Sequence, residues 1–289
     1  MAGQPKLRVA ICGGGVGGLT LACALSQSPD IQIDIYEAAM RFAEIGAGIG
    51  LWWRGKRILT AMGLQEDVAS IGAQFQDGRV PSMNYRKSDQ SEGQHLATTT
   101  SRGGLSTVHR AEFHTILLRR LSPRVCTYTS KRLVTYVQPP NTHDPIQLKF
   151  SDGTVTTCDL LIGADGVNSV VRAAMMDERA VAVSRAGRHA EAVALRECAT
   201  PRFCGSIVYR AIVPGEKLLR MAPQHRVLSA PYQHIIAYPI SHGRFVNVAL
   251  FFANHAQEGS VHPGPWVSKS DPREILRQFD GWETEVRQL

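Results

Sequence analysis

The order of apolar and polar positions predicts alternating strands and helices at the start of the chain. An apolar run, Leu7–Cys12, reaches a glycine-rich turn. A small-residue helical run follows (Leu19–Leu25), then a second apolar run that closes on Glu37. This is the signature of a βαβ unit with two parallel strands. A second glycine-rich loop (Gly46, Gly48, Gly50) leads into an amphipathic helix from Arg54 to Met62, stopped by Gly63. From 75 to 100 the chain is polar and β-prone with turn residues, predicting an excursion into an antiparallel region. Helical spacing returns over His109–Leu121, with Phe113, Ile116, Leu117 and Leu121 on one face. Val125–Thr129, Leu133–Val137, Ile146–Phe150 and Val155–Cys158 read as strands, the last two joined by an Asp152-Gly153 turn. A further apolar strand ends at Gly163-Ala164-Asp165-Gly166, and a helix starts after Asn168 or Ser169. Met175–Pro201, rich in Ala and Arg, reads as a helix or a loose insertion. SIVYRAIV, HRVLSAP, HIIAYPI and RFVNVALFF alternate as antiparallel strands of a second sheet. The C-terminal stretch reads as a helix opened by Asp271-Pro272 and a second, short one.

Bulk properties narrow the class. The 289 residues suffice for one large domain or two intimate ones. The net charge of +7 describes a solvated basic surface, with steering of anionic substrates or NADPH as the functional alternative. Basic residues form no long run and no nucleic-acid motif is present, so nucleic acid is not an expected partner. Six cysteines form no C-x-x-C pair. Cys12 and Cys23, inside the first strand and helix, read as small buried hydrophobes, which fits a reducing, cytoplasmic setting with no structural metal. No signal pattern precedes the first strand and no apolar stretch is long enough to span a membrane.

The opening unit carries the first candidate chemistry. Gly13, Gly15 and Gly18 stand in G-x-G-x-x-G spacing at the strand-to-helix turn. The first allows the tight turn, the second lets a pyrophosphate approach the backbone, and the third lets helix and strand pack closely. The helix N-terminus supplies free N–H groups and the positive end of a dipole. Glu37 is placed to accept hydrogen bonds from an adenosine ribose. This fingerprint marks a dinucleotide site without separating FAD from NAD. On position alone, the Gly46–Gly50 loop is either a second cofactor contact or a flexible loop. Arg110 reads as a surface arginine or, beside a helix N-terminus, as a donor to phosphate or ribityl oxygens. Asp165 reads as a turn and cap residue.

In order, the G-x-G-x-x-G with Glu37, the GAGIG loop, HRAEF, DLLIGADGVNSVVR, YRAIVP and YPI resemble the single-component FAD-dependent aromatic hydroxylases typified by salicylate and para-hydroxybenzoate hydroxylase. The fungal salicylate-hydroxylase-like members that hydroxylate polyketide phenols are the nearest in pattern. The resemblance spans nearly the whole chain. Its most specific part is Ala164-Asp165-Gly166 followed by Ser169 and Arg172, which decides for FAD. It implies an α/β fold: a Rossmann-like FAD-binding domain of the para-hydroxybenzoate hydroxylase type (1–74 and 101–177) interleaved with an antiparallel β-sheet substrate domain (75–100 and 178–289). By the same resemblance Glu37 binds the FAD ribose and Gly50 meets the flavin end through its backbone. Arg110 reaches the pyrophosphate or ribityl chain, and Asp165 sits near the pyrophosphate and helps NAD(P)H to act. The implied reaction uses NAD(P)H to reduce FAD and O2 to form a C4a-hydroperoxide that hydroxylates an electron-rich ring, with the protein supplying orientation and exclusion of water. Such a ring needs a cation. Arg210, on an apolar strand where an unpaired charge is costly, is the first candidate. Tyr238, as hydrogen-bond partner of a phenol oxygen, is the second. His225 and His234 are weaker candidates as proton relays. A homodimer is compatible with the resemblance. Members of this family also carry a Gly-Asp pair in their C-terminal third, and this chain has none. A truncated product is therefore expected, lacking part of the flavin wall, with a non-catalytic homologue or an epoxidase of the same fold as the alternatives.

Overall fold

A computed structural model of the chain describes residues 5–42, 46–139, 141, 144–223, 225, 235–262 and 264–289. In order the elements are β1 (Leu7–Cys12), α1 (Val16–Leu25), β2 (Ile31–Tyr36), β3 (Gly48–Leu51), α2 (Trp53–Ala61), α3 (Gln65–Ser70), β4 (Arg79–Lys87), β5 (Gln94–Arg102), β6 (Ser106–His109), α4 (Arg110–Arg120), β7 (Val125–Tyr128), β8 (Leu133–Val137), β9 (Ile146–Phe150), β10 (Val155–Cys158), β11 (Leu160–Gly163), α5 (Val170–Arg185), α6 (His189–Glu197), β12 (Ser206–Pro214), α7 (Gly215–Met221), β13 (Ile235–Ile240), β14 (Phe245–Ala253), α8 (Pro272–Leu276) and α9 (Thr284–Arg287). They form two compact units, Met1–Glu44 with His114–Pro201 and Ile45–Phe113 with Arg202–Leu289. These units cut the chain elsewhere than the functional division expected from sequence, because compactness follows strand pairing and helix packing. Strands β3 and β6 pair with each other inside the second unit, and the Ala- and Arg-rich stretch folds into the first.

The first unit is built on a parallel sheet in the order β11-β1-β2-β7. Side chains alternate across it. Ala10, Cys12 and Tyr36 pack on the antiparallel sheet β10-β9-β8 through Leu133, Tyr136, Leu148 and Phe150. Val9, Ile11, Ile33 and Ile35 face the other way and are equally buried. That double burial explains why the strands read as continuous apolar runs. Met175–Pro201 is helical: α5 and α6 pack together, with Ala180 and Ala192 buried. Cys12 and Cys23 are buried free thiols, and burial pushes them up to about 12 and about 11. Each strand end hands its carbonyl to a neighbouring loop. Gly13 N–H donates to Tyr36 (2.8 Å), Ala164 N–H to Cys12 (2.7 Å) and Glu37 N–H to Tyr128 (2.8 Å). The loops after β1, β2 and β11 therefore share one edge of the sheet, where ligands of open α/β sheets bind.

The second unit holds the antiparallel sheet β12-β14-β13, the β4–β5 hairpin and the β3–β6 pair. One face of the three-stranded sheet is apolar. Val213, Ala237, Val246, Val248 and Phe252 pack there with Leu218, Phe279, Trp282 and Val286. The C-terminal segment supplies the last three, and α8 starts as its sequence predicts, with Pro272 at its first turn and Asp271 accepting from Arg273 N–H (2.9 Å). Of the predicted strand HRVLSAP, all but His225 lies outside the described residues. No helix among the described residues is long and apolar enough to cross a membrane.

Candidate functional site

The glycines after β1 divide by what surrounds them. Gly13 has φ +111°, and a Cβ there would strike the Ala164 carbonyl. A Cβ on Gly18 would strike the Gly13 carbonyl. Both are glycine because the β1 turn, the β11 turn and α1 are pressed together. Gly15 and Gly17 are the opposite case: a Cβ on either would meet nothing within 4 Å. Gly15 is also the N-cap of the ten-residue α1, with no side-chain cap and no acid in the first turn. This open space over unsatisfied N–H groups suits a pyrophosphate. Glu37 is fixed beside it. Its Oε2 accepts from Gly14 N–H (2.8 Å) and its Oε1 from Ala39 N–H (2.7 Å). Each oxygen keeps a lone pair for a ribose hydroxyl. His114, buried, donates from Nε2 to the Gly14 carbonyl (2.8 Å) and so holds the same loop from behind. Sequence reading passed over His114, since a lone histidine in a helix gives no signal until its partner is known.

Asp165 is bound into its own turn. Its Oδ1 accepts from Ser169 Oγ (2.5 Å), and its Oδ2 from the N–H groups of Val170 (2.7 Å) and Val171 (3.2 Å). Ser169 caps α5 by accepting from Arg172 N–H (2.9 Å), and the Arg172 guanidinium donates to the Gly166 and Val167 carbonyls. The Asp-Gly-x-x-Ser-x-x-Arg motif is thus a closed knot at the N-terminus of α5. It places the Ala164–Asp165 backbone against Gly13.

In the second unit, Arg210 and Tyr238 share one face of the sheet. Arg210 lies opposite Ala249 and Tyr238 opposite Asn247, and 247 and 249 are two apart on β14. Arg210 is exposed, so the argument from a buried unpaired charge does not apply to it. What the structure provides is company. Arg110, at the start of α4, has its pKa lowered by burial and then by the charge of Arg210. Burial raises the pKa of Tyr238, against the opposing effect of Arg210. Arg110 and Tyr238 thus both lie within range of the Arg210 charge. Of the glycine-rich loop, Gly48 packs on this same face. A Cβ there would strike the Tyr238 ring and lie 2.9 Å from Asn247 Cβ, so close sheet approach explains this glycine. Gly50 pairs with Thr107 across β3–β6 and packs against Leu105.

His225 is buried and donates to the Glu285 carbonyl (2.7 Å), and His234 lies outside the described residues. A cavity of about 290 Å³ in this unit is lined by residues including Arg86, Ser88, His225, Trp282 and Glu283. Its charges engage each other: Glu283 accepts from Arg86 (2.7 Å) and Ser88 (2.6 Å). A second missed residue is Lys56, 1 % exposed, whose Nζ donates to the carbonyls of Gln74, Gly103 and Gly104 and to Ser106 Oγ. Its spacing from Leu59, three residues on, put it on the buried face of α2 and could have revealed it.

The profile of the FAD binding domain matches residues 6–238 of the chain. The chain is 41% identical over 300 residues to the FAD-dependent monooxygenase str9 of Strobilurus tenacellus, covering 99% of this chain and 65% of that protein. It is 32% identical to a salicylate hydroxylase of Pseudomonas putida, covering 97% and 63%. Among solved structures, a substrate complex of salicylate hydroxylase superposes with a TM-score of 0.73 at 24% identity, covering 99% of this chain and 65% of the other, which shows a shared fold. The chain spans less than two thirds of the length of these curated relatives.

Proposed function

The chain belongs to the FAD binding domain family, and from that premise we propose that it serves an FAD-dependent monooxygenase hydroxylating a phenol or aromatic acid with NAD(P)H and O2. The observation that carries the substrate class is the placing of Arg210 and Tyr238 on one face of the β12-β14-β13 sheet. Arg210 and Tyr238 on that face offer a guanidinium and a hydroxyl to the anionic substituent of a phenolate or aromatic carboxylate. The names of the relatives, a FAD-dependent monooxygenase and a salicylate hydroxylase, agree with this reading.

The residues of the first unit fit the adenosine side of FAD. Gly13, Gly15 and Gly18 form the cradle, Glu37 offers lone pairs to the ribose, and Asp165 acts through the turn it knots rather than through a free carboxylate. In the second unit Gly50 and Arg110 would serve the flavin end and the pyrophosphate or ribityl chain. Bound FAD supplies electron acceptance from NAD(P)H and activation of O2. The Arg210 guanidinium would hold the anionic substituent of the ring by charge-assisted hydrogen bonds. Tyr238, kept protonated by its raised pKa, would donate to the phenol oxygen. The functional division into an FAD-binding part (1–74 and 101–177) and a substrate part (75–100 and 178–289), a cytoplasmic setting and a homodimer belong to the same proposal.

The test is a flavin titration followed by visible absorbance, repeated with salicylate, together with NAD(P)H oxidation and product analysis. Arg210→Ala should abolish hydroxylation and leave FAD affinity nearly unchanged. Loss of FAD binding in that variant would show that Arg210 has another task. Stoichiometric FAD with no phenol-dependent NAD(P)H oxidation would identify a non-catalytic homologue, and an epoxide product the other alternative.

A further inference from the structure

The two outer edges of the β12-β14-β13 sheet differ. The β13 edge is occupied: the strand packs on β6, and the Pro239 carbonyl accepts from Thr107 Oγ1 (2.6 Å). The β12 edge is bare. At the two ends of the β12–β14 ladder, Asn254 N–H donates to the Gly205 carbonyl (2.5 Å) and Gly215 N–H to the Arg244 carbonyl (2.9 Å). Bonded and non-bonded pairs alternate along an antiparallel ladder. The odd-numbered residues of β12 therefore bond to β14, and Ser206, Val208, Arg210 and Ile212 turn their backbone N–H and C=O groups outward. Among the described residues these outward groups have no backbone partner, and only the Ser206 carbonyl has a long contact, from Cys204 Sγ (3.9 Å).

A free edge invites a further strand unless it is short, bulged, or blunted by proline or charge. β12 is nine residues long, and its register with β14 runs from Ser206 to Pro214 without a bulge. Its proline comes last, after the four outward-facing residues, and Arg210 is its one charge. Those four residues complement themselves. Paired antiparallel with β12 of a second copy so that all four are used, Ser206 meets Ile212 and Val208 meets Arg210, each twice. Pro214 then lies beyond the ladder, where its missing N–H costs nothing. Tyr209 meets Tyr209 on the two-fold axis as an aromatic cross-strand pair, flanked by Ile207, an apolar side chain 44% exposed in the single chain. The neighbouring registers are worse. One sets Arg210 against Arg210 and draws Pro214 into the ladder, and the other carries Ile212 past the start of the strand.

We propose that the outer edge of β12 is the surface through which two copies of this chain associate. Their three-stranded sheets join into one continuous sheet about a two-fold axis at Tyr209. The interface is isologous, the same strand serving on both sides, and main-chain hydrogen bonds supply the affinity, as in other strand additions. This inference rests on the homodimer of the preceding reading and assigns its surface; it does not depend on the flavin chemistry.

Sedimentation equilibrium of the whole chain at micromolar concentration should give twice the mass of one chain. Val208→Pro removes an outward N–H and sets a ring in its place, while the β14 side of the strand keeps its hydrogen bonds. It should weaken association roughly tenfold or more, with an unchanged circular dichroism spectrum. If that variant does not fold, Tyr209→Cys decides. It places two thiols at the non-hydrogen-bonded pair on the axis, where Cα atoms about 4.5 Å apart are within reach of a disulfide. Under oxidation it should give a linked dimer on a non-reducing gel, beyond any that the wild type forms through its exposed Cys126, Cys198 and Cys204. A monomeric wild type would overturn the homodimer and this surface together, leaving the edge to a strand of another chain. With a dimeric wild type, a folded Val208→Pro variant that associates equally well, or a Tyr209→Cys variant that gains no cross-link, would overturn the surface alone.

Discussion

At the scale of single residues, the buried amine of Lys56 is the sharpest conflict between cost and use. Burial lowers its pKa, so the charged form is penalised. Against that, four oxygens depend on it, two of them on Gly103 and Gly104, whose φ values near +65° mark a tight turn with little freedom to relax. Replacing a buried charge by an apolar side chain is neutral only when its partners are replaced too. Lys56→Met leaves them in place, and should destabilise the protein by roughly 1–3 kcal/mol, read as a lower urea midpoint at unchanged slope. An unchanged or higher midpoint would mean the turn finds other donors. Arg210 and Tyr238 are proposed from the YRAIVP and YPI motifs. Sequence reading could not give the partner of Asn247, which accepts from Gly48 N–H 199 residues away, and helix spacing could mark Lys56 as buried but not name its partners, up to 50 residues away.

At the scale of elements, the most legible stretch was the opening strand–turn–helix–strand, and the reason is locality. Apolar runs, glycines and the terminal acid lie within one βαβ unit, so pattern and structure are set by the same short-range constraints. The Asp165 motif was legible as a signature, but its physical content was not. Its carboxylate accepts three hydrogen bonds at the start of α5. Asp165→Ala should cost about 1–2 kcal/mol through the lost cap. Because the turn abuts Gly13, FAD affinity should fall about tenfold, a difference of 1.4 kcal/mol in binding. Denaturation and flavin titration on the same variant check both halves. Stability and affinity equal to wild type would show that Ser169 alone suffices as the cap. The Ala- and Arg-rich stretch stayed ambiguous in sequence because alanine favours helices yet buries little surface. The packing of α5 on α6, with Ala180 and Ala192 buried, settles it.

At the scale of the whole molecule, acid should be the weak side. Four exposed carboxylates are held below their ordinary range: Asp77 chiefly by Gly78 N–H, Asp89 by Lys87, Asp152 by Lys131 and Asp159 by Arg8. A depressed folded-state pKa stabilises above the unfolded value of about 3.9, and that contribution is lost as pH falls through the folded values. Exposure and salt keep each term small, but protonation also adds to a net charge of +7 already present at neutrality. The melting temperature should therefore drop steadily from about pH 5 to about pH 3. A melting temperature that holds steady or rises over that interval would contradict this account. The sequence by itself determined the family signature, the dinucleotide cradle and the identities of most strands and helices, since these follow from local periodicity, glycine geometry and motif spacing. Only the tertiary structure decided why Gly48 must be glycine, what Asp165 holds, and that Arg210 and Tyr238 share one sheet face. Those facts arise where residues distant in the chain meet across a sheet, and no local pattern encodes the distance between them.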